Sequence, residues 1–380
     1  MRIKIGSFNV HGLGNIDNDS SFKEQKIEKI SKILKDENFH LIVLQEIQDA
    51  KAVKRIASNL GGYESIHCAD LYKEELTGNG FKNRNGVSFD AELAFLWNPL
   101  VLTLDRDPEI YKGISERIAL HFDRFVDAMS IVIAGLLLNP QNMSKEEDKE
   151  EKEEKERCYQ ETRKIFGLLG VSGVNVAGKK ISKAAAKKSV ASVLHKTLRP
   201  PVFAIFKKCS PGVLGKLAPS VRGSFGREIR LINTHTQYGG KEMPKKEKEI
   251  IRRKELEFVL GEIYDVVATH RDGKWRSPTT IVAGDYNMSW KELQYLDIGK
   301  YHKNDSFMID QRELSTLNRL KKDEPPKIVY SENYDHFSYD SDKFFPGDPV
   351  VSRYNATPDN FIVDNKLVSD HVPIEMSFEF

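Results

Sequence analysis

Hydrophobic and polar positions alternate with a changing rhythm along the chain, and the changes mark out elements. Residues 2–10, in the opening MRIKIGSFNV, read as a strand. Over 21–36 the rhythm becomes helical. Ile27, Ile30, Ile33 and Leu34 form an apolar stripe, and Ser21 with Glu24 can form a capping box. HLIVLQE, residues 40–46, is a short apolar run closed by an acid, the pattern of a buried strand. Helical spacing returns at 49–60, and strand-like runs follow at 63–67, 93–97 and 100–104. This alternation predicts an α/β architecture.

The rhythm changes after Asp105. Between about 108 and 198 no clear strand pattern occurs, and 115–138 reads as one or two apolar helices. KEEDKEEKEEKE, 145–156, holds eight acids and four lysines at spacings that favour an exposed helix. Strand signals resume at 202–207 and 229–234. A long helix is predicted over 245–269, with Leu256, Val259, Leu260, Ile263 and Val267 on one face. Further strands are predicted at 279–284, 334–338 and 372–379. The simplest parse is an α/β core formed by 1–107 and 199–380, interrupted by a helical, charged insert at 108–198.

Composition adds three constraints. The 380 residues are 39% hydrophobic and 30% charged, which fits a substantial core plus a highly solvated segment. The net charge of +2 says nothing about partners, but residues 157–227 carry fifteen Lys and Arg against the single acid Glu161. Cys68, Cys158 and Cys209 are few and far apart, so neither a disulfide framework nor a zinc site is expected. The opening residues do not read as a signal peptide, and the apolar run Met129 to Leu138 is too short to span a bilayer. The expected setting is cytoplasmic and reducing.

Five polar clusters end or sit on predicted core strands: Asn9 in SFNVHG, Glu46 in LQEI, His235 in NTHT, Asp285 and Asn287 in GDYN, and Asp370-His371 in SDHVP. Asp285 and Asn287, two apart, face one side if the strand continues through them, although Gly, Asp and Asn are also ordinary turn residues. Buried acids at strand ends are costly without partners, and strand-end crevices of α/β folds bind ligands. Clustered Glu46, Asp285 and Asp370 would repel one another unless a cation sat among them, and an all-oxygen donor set suits Mg²⁺, Mn²⁺ or Ca²⁺ rather than zinc. Two histidines beside them could do the proton work of phosphate-ester hydrolysis, each fixed by a carboxylate partner; Glu92 and Asp335 are candidates.

These five motifs, in this order, resemble the endonuclease/exonuclease/phosphatase superfamily, and within it deoxyribonuclease I-like enzymes; the match covers about 1–105 and 199–380. EIQD, AELAFLWNP, YDHF and RPPVFAIF add to the likeness. The resemblance implies a four-layer α/β sandwich of two packed mixed sheets. It implies that Glu46, with Asn9 beside it, binds Mg²⁺ or Mn²⁺, and that Asp370 and, indirectly, Asp285 hold the metal or its waters. Asp285 would orient or deprotonate the attacking water, and Asn287 would hold a phosphoryl oxygen. His235, backed by Glu92, and His371, backed by Asp335, would act as proton donor and phosphate stabiliser. His11 stands where the family pattern has arginine, as a substrate contact, and Gln48 and Asp90 are further departures.

The activity implied is metal-dependent hydrolysis of nucleic-acid phosphodiesters, most simply by a DNA endonuclease. The alternative is a phosphatase or phosphodiesterase acting on a nucleotide, phosphoinositide or phospholipid. A third reading, a non-catalytic binding module, leaves the polar set without a purpose. For the insert, three roles stand open: contact with nucleic-acid backbone, a protein partner or self-association, or simple pairing of its basic and acidic runs.

Overall fold

In the computed structural model the described residues are 1–14, 20–73, 92–138, 191, 194, 201–209, 227–236, 245–270, 277–302, 306–310, 313–320, 327–344, 347–354, 358–363 and 366–380. The chain begins β1 (Arg2–Leu13), α1 (Ser20–Glu37), β2 (Leu41–Ile47), α2 (Ala50–Asn59), β3 (Glu64–His67), α3 (Cys68–Lys73), β4 (Leu93–Trp97), β5 (Leu102–Leu104) and α4 (Pro108–Leu138). It continues with β6 (Val202–Lys208), β7 (Arg227–His235), α5 (Lys245–Phe258), a π-helical turn (Val259–Ile263), α6 (Tyr264–Thr269), β8 (Ser277–Asp285) and α7 (Trp290–Leu293). The strands β9 (Phe307–Asp310), β10 (Leu317–Leu320), β11 (Lys327–Tyr330), β12 (Asp335–Asp340), β13 (Val350–Arg353), β14 (Ile362–Val363), β15 (Lys366–Leu367) and β16 (Ile374–Glu379) complete it.

Two six-stranded sheets form, ordered β13-β16-β1-β2-β4-β3 and β5-β6-β7-β8-β12-β9. Each is mixed. β1 and β2 run parallel in the first, β7 and β8 run parallel in the second, and the other pairs are antiparallel. The period of two decides the layers. Ile3, Ile5, Leu41, Val43, Phe95 and Trp97 belong to the core shared with the second sheet, where Phe206 packs 5.5 Å from Trp97 and 6.2 Å from Phe95. The alternate residues Phe8, Ile42, Leu44, Ala94 and Leu96 face the other way. They form a second core with the Ile27, Ile30, Ile33 and Leu34 stripe of α1 and with Val53 and Ile56 of α2. Asp49 starts α2 by accepting the N–H of Lys51 at 2.8 Å. The four-layer α/β sandwich expected from the sequence is the observed architecture.

The outer layer of the second sheet corrects the boundaries expected for two elements. The helix expected at 115–138 begins at Pro108, and its first turns belong to the core. Tyr111 stacks on Phe203 at 5.1 Å, and Phe125 stacks on Phe258 at 4.5 Å. The acidic run 145–156 and most of the basic stretch lie outside the described residues. The long helix expected over 245–269 is broken by the π-helical turn. Tyr301 packs there so closely on Gly261 that a Cβ would lie 2.2 Å from its ring. β9, β10, β11 and β13 were not expected from the sequence: each is four residues long, and β9 and β13 are half-exposed or exposed throughout. No described helix is long and apolar enough to cross a membrane.

A polar pair lies between the sheets. Asn233 of β7 donates to the carbonyls of Leu44 and Ala94 at 3.0 and 3.2 Å and accepts from Gln45 of β2 at 2.8 Å. It ties β7 against β2 and β4 just below the strand ends that carry His235 and Glu46. The glycine of GDYN has a comparable purpose. Gly284 has φ of +152°, and a Cβ there would lie 1.8 Å from the carbonyl oxygen of Thr234 on the neighbouring strand. Gly284→Ala is therefore expected to cost at least about 3 kcal/mol. An unchanged urea-unfolding midpoint for that variant would contradict this account of the β7–β8 contact.

Candidate functional site

The parallel pairs β1–β2 and β7–β8 carry their C-terminal ends to the same place. Asn9 pairs with Gln45 in one sheet, and His235 pairs with Asp285 in the other. β12 starts at Asp335, whose register partner is Asp285. Asp370 and His371 immediately precede β16. Six separate stretches of chain thus bring Asn9, Glu46, His235, Asp285, Asp335, Asp370 and His371 together.

Local backbone does the aiming. Among the described residues, four non-glycine residues have positive φ: His11, Asn38, Glu46 and Asn287. Three of the four are in this site, and such backbones persist only when their surroundings impose them. Strict alternation after Gln45, which faces the other sheet, would turn Glu46 toward the outer helices; its φ of 57° breaks the alternation. Asn287, with φ of 49°, donates its N–H to Asp285 Oδ1 at 2.8 Å. GDYN is therefore a turn as well as a site, and the strand ends at Asp285 rather than running through Asn287.

Asp285 is the centre, 1% exposed. Its Oδ2 accepts from Asn9 Nδ2 at 3.0 Å and lies 3.5 Å from His371 Nε2 and 3.8 Å from His235 Nε2. Burial pushes its pKa up to about 7, with His371 pulling it down and Asp335 pushing it up. Asn9 Nδ2 also donates to Glu46 Oε1 at 3.0 Å, so one amide joins the carboxylates of both sheets. His235 Nε2 is 3.6 Å from that Glu46 oxygen.

His371 is held from behind. Its Nδ1 meets Asp335 Oδ2 at 2.8 Å, and Ser315 Oγ donates to the same oxygen at 2.7 Å. Burial opposes charge on this imidazole, but Asp335 and Asp285 outweigh it and raise its pKa well above the usual histidine value. Asp335 Oδ1 is buried without a hydrogen-bond partner.

The mouth of the site is formed by His11 and Asp370. His11 is pinned by its backbone. Its N–H donates to Asn9 Oδ1 at 2.9 Å, and its carbonyl accepts from the buried Lys26 ammonium at 2.7 Å. The imidazole, 54% exposed, places Nδ1 3.0 Å from Asp370 Oδ1 and 3.9 Å from Glu46 Oε2. Burial would raise the Asp370 pKa, yet His11 and His371 hold it down at about 2.

The structure thus brings together nine of the ten residues singled out in the sequence: Asn9, His11, Glu46, His235, Asp285, Asn287, Asp335, Asp370 and His371. The tenth, Glu92, accepts from Gln48 Nε2 at 2.9 Å, next to the end of β2. His336, beside Asp335, faces the opposite side, against the carbonyl of Met288 at 3.0 Å. Sequence reasoning passed over several supports. Ser315 lies in no motif. Ser369 donates to the carbonyl of Asn9 at 2.6 Å and accepts the N–H of His371 at 3.0 Å. Arg252 of α5 reaches the carbonyl of Asn287 at 2.6 Å. Only Ser369 had a signal, its place inside SDHVP.

One trio of described residues has acidic and imidazole donor atoms all within 4.8 Å of one another: Asp285, Asp335 and His371. His371 links the other two, with Nδ1 on Asp335 Oδ2 at 2.8 Å and Nε2 3.5 Å from Asp285 Oδ2, while Asp335 Oδ1 has no hydrogen-bond partner. The outer set behaves differently. Asp370 Oδ1 is shut off from water and is paired with the half-exposed His11 imidazole, whose Nδ1 lies 3.0 Å away.

No protein-family profile matches the sequence, and no curated protein does. Among solved structures the chain is similar to an endonuclease/exonuclease/phosphatase family protein from Bacteroides thetaiotaomicron, at 12% identity and TM-score 0.45, covering 100% of this chain and 99% of that one. It is similar to truncated TDP2 from Caenorhabditis elegans, at 10% identity and TM-score 0.45, over 100% and 98% of the two chains. A third is the mannosyl-6-phosphatase Bt3783 of Bacteroides thetaiotaomicron, at 12% identity and TM-score 0.46, over 100% of both. The first carries the family name that the motifs suggested. Likenesses this distant carry no argument about chemistry, which rests on the side chains.

Ser315 is the plainest test of the support behind His371. Ser315→Ala removes a donor from a carboxylate whose other oxygen already has none, and should cost about 1–3 kcal/mol of stability. Urea unfolding measures it, and an unchanged midpoint would remove Ser315 from the account.

Proposed function

We propose that the protein is a divalent-cation-dependent phosphodiesterase that cleaves nucleic acid, a DNA endonuclease in its simplest form. The observation that carries the reading is Asp285: a buried carboxylate whose one oxygen is shared by Asn9, His235 and His371, brought from both sheets. A scaffold gains nothing from burying that set.

The donor set fits a hard divalent cation. Glu46 and Asp370 offer carboxylate oxygens without a thiol among them, and Asn9 stands beside them with its own oxygen already taken by the His11 N–H. When bound there, such an ion supplies charge neutralisation of the phosphoryl oxygens. The remaining work falls to side chains. Asp285 is placed to orient an attacking water and take its proton, while its Oδ1 is held by the Asn287 N–H. Asn287 Nδ2 spends one hydrogen on the carbonyl of Thr236 at 2.8 Å and has a second for a phosphoryl oxygen. His371, backed by Asp335, is the group best held to present a positive N–H to the phosphate, which leaves His235 to protonate the departing oxygen. Glu92, which accepts from Gln48 Nε2, is carried over from the resemblance as the support of His235. The choice of DNA also rests on the resemblance.

Supercoiled plasmid, linear duplex, single-stranded DNA, RNA and bis(p-nitrophenyl) phosphate, each with Mg²⁺, Mn²⁺ or chelator, form the test. Nicking of plasmid that needs the metal is expected. It should be lost in His235→Ala, Asp285→Ala and fall at least about 10²-fold in Asp335→Asn. Turnover of the small diester without any polymer would move the reading to a small phosphoester. Full activity in the double variant would overturn the site.

A further inference from the structure

We infer that Arg252 of α5 is a positioning residue of this site: it sets the turn that aims the Asn287 amide at the phosphoryl oxygen. The inference rests on the role proposed for Asn287 above, and it adds a residue that lies in none of the sequence motifs.

Three observations support it. The first is where Arg252 sits. It is 8% exposed and shares the buried face of its helix with Leu256 and Val259, one and two turns along. An arginine at a core position of an apolar stripe needs a buried acceptor. The half-exposed Arg253 beside it shows the ordinary use of the residue, pairing with Glu257 on the next turn at 3.1 Å. Arg252 turns inward instead, and its Nη1 donates to the carbonyl of Asn287 at 2.6 Å.

The second is how the GDYN turn is held. Its carbonyls are taken one by one. Thr236 donates its N–H to the carbonyl of Asp285 at 3.0 Å and its hydroxyl to that of Tyr286, and His336 Nε2 meets that of Met288 at 3.0 Å. Thr236 follows β7 and His336 lies on β12, the two strands that flank β8. The Asn287 carbonyl, between them, is taken from outside the sheet, by the helix residue Arg252.

The third is the conformation being held. Asn287 has φ of 49°, a backbone that relaxes unless its surroundings impose it. Its N–H on Asp285 Oδ1 and its Nδ2 on the Thr236 carbonyl, both at 2.8 Å, fix the nitrogen end and the side chain. The bond from Arg252 fixes the peptide plane that follows, and with it ψ. A charged donor makes the stronger kind of hydrogen bond, which suits it to hold a strained turn. The second Nδ2 hydrogen, the one left for a phosphoryl oxygen, is thereby given one direction. α5 is itself firmly seated, by the buried Leu256 and by Phe258 stacked on Phe125 of α4 at 4.5 Å, so the guanidinium is in place before substrate arrives.

Steady-state cleavage of supercoiled plasmid and of bis(p-nitrophenyl) phosphate by the full chain with Mn²⁺ tests this. The variants are Arg252→Met, which keeps the volume, Arg252→Gln, which replaces it should methionine unfold the chain, and Arg252→Lys, which keeps a charged donor. Each is made alone and together with Asn287→Gly, since glycine accepts the positive φ and removes only the amide. Arg253→Met is the control. Rates are taken per folded molecule, with urea unfolding giving the folded fraction. Asn287→Gly should lower kcat about 10²-fold or more. Arg252→Met should lower kcat about tenfold or more with KM within about threefold, and Arg252→Lys should recover most of that loss. On the Asn287→Gly background, replacing Arg252 should change kcat by less than about twofold, because it acts through the missing amide. Arg253→Met should stay within about twofold of wild type. If replacing Arg252 costs the same factor in both backgrounds, or nothing in either, the arginine serves the fold alone; the inference then fails and the proposed function stands. If Asn287→Gly keeps full kcat, the role of Asn287 fails and takes the inference with it. A wild type that cleaves neither substrate overturns the proposed function itself.

Discussion

A carboxylate buried at the junction of two sheets is the constraint around which this protein is arranged. Asp285 ends the central strand of one sheet, out of reach of water, and the amide of Asn9 from the other sheet donates to it. Removing an acid from water without partners is among the costlier acts in folding. The site is the set of groups that offset that cost: one amide, two imidazoles and the N–H of Asn287. The same Asn9 nitrogen reaches Glu46, so the polar centre also links the sheets. Beneath it the Gln45–Asn233 pair repeats the link without charge. Above it the chain turns through left-handed residues at Glu46 and Asn287, where the strand period would otherwise carry the side chains away.

The fold was legible wherever burial imposed a rhythm. LIVLQE, VFAIFK and TTIVAGD are dense apolar runs, and each is a central strand of the sandwich. The stripe of Ile27, Ile30, Ile33 and Leu34 is the buried face of α1. The short edge elements were not legible. β9 and β13 have half-exposed or exposed residues on both faces, so no alternation separates them from loop. The π-helical turn was hidden for another reason. It lies where Tyr301, some forty residues away in sequence, packs on Gly261, a contact that no local pattern announces.

The site divides in the same way. Residues that end a buried strand, such as Glu46 and Asp285, were conspicuous because an acid there contradicts its surroundings. Asn287 was found for a reason that the structure changes, since it lies on a turn and not on the strand. Ser315 and Arg252 left no trace, because an ordinary serine in a loop and an arginine in a charged helix contradict nothing. Their contacts are made only by the tertiary fold: Ser315 reaches Asp335 across twenty positions, and Arg252 reaches Asn287 across thirty-five.

The central claim is that the strand ends around Asp285 hold a phosphodiester beside a cation on the Glu46 side. The most direct measurement is a crystal structure of the full chain with Mn²⁺ and a non-hydrolysable phosphorothioate dinucleotide, read by the anomalous signal of the metal. The account predicts a manganese peak bonded to Glu46 and Asp370, with the phosphorothioate group over Asp285 between His235 and His371. A peak among Asp285, Asp335 and His371 instead, or a dinucleotide bound away from these residues, would contradict it.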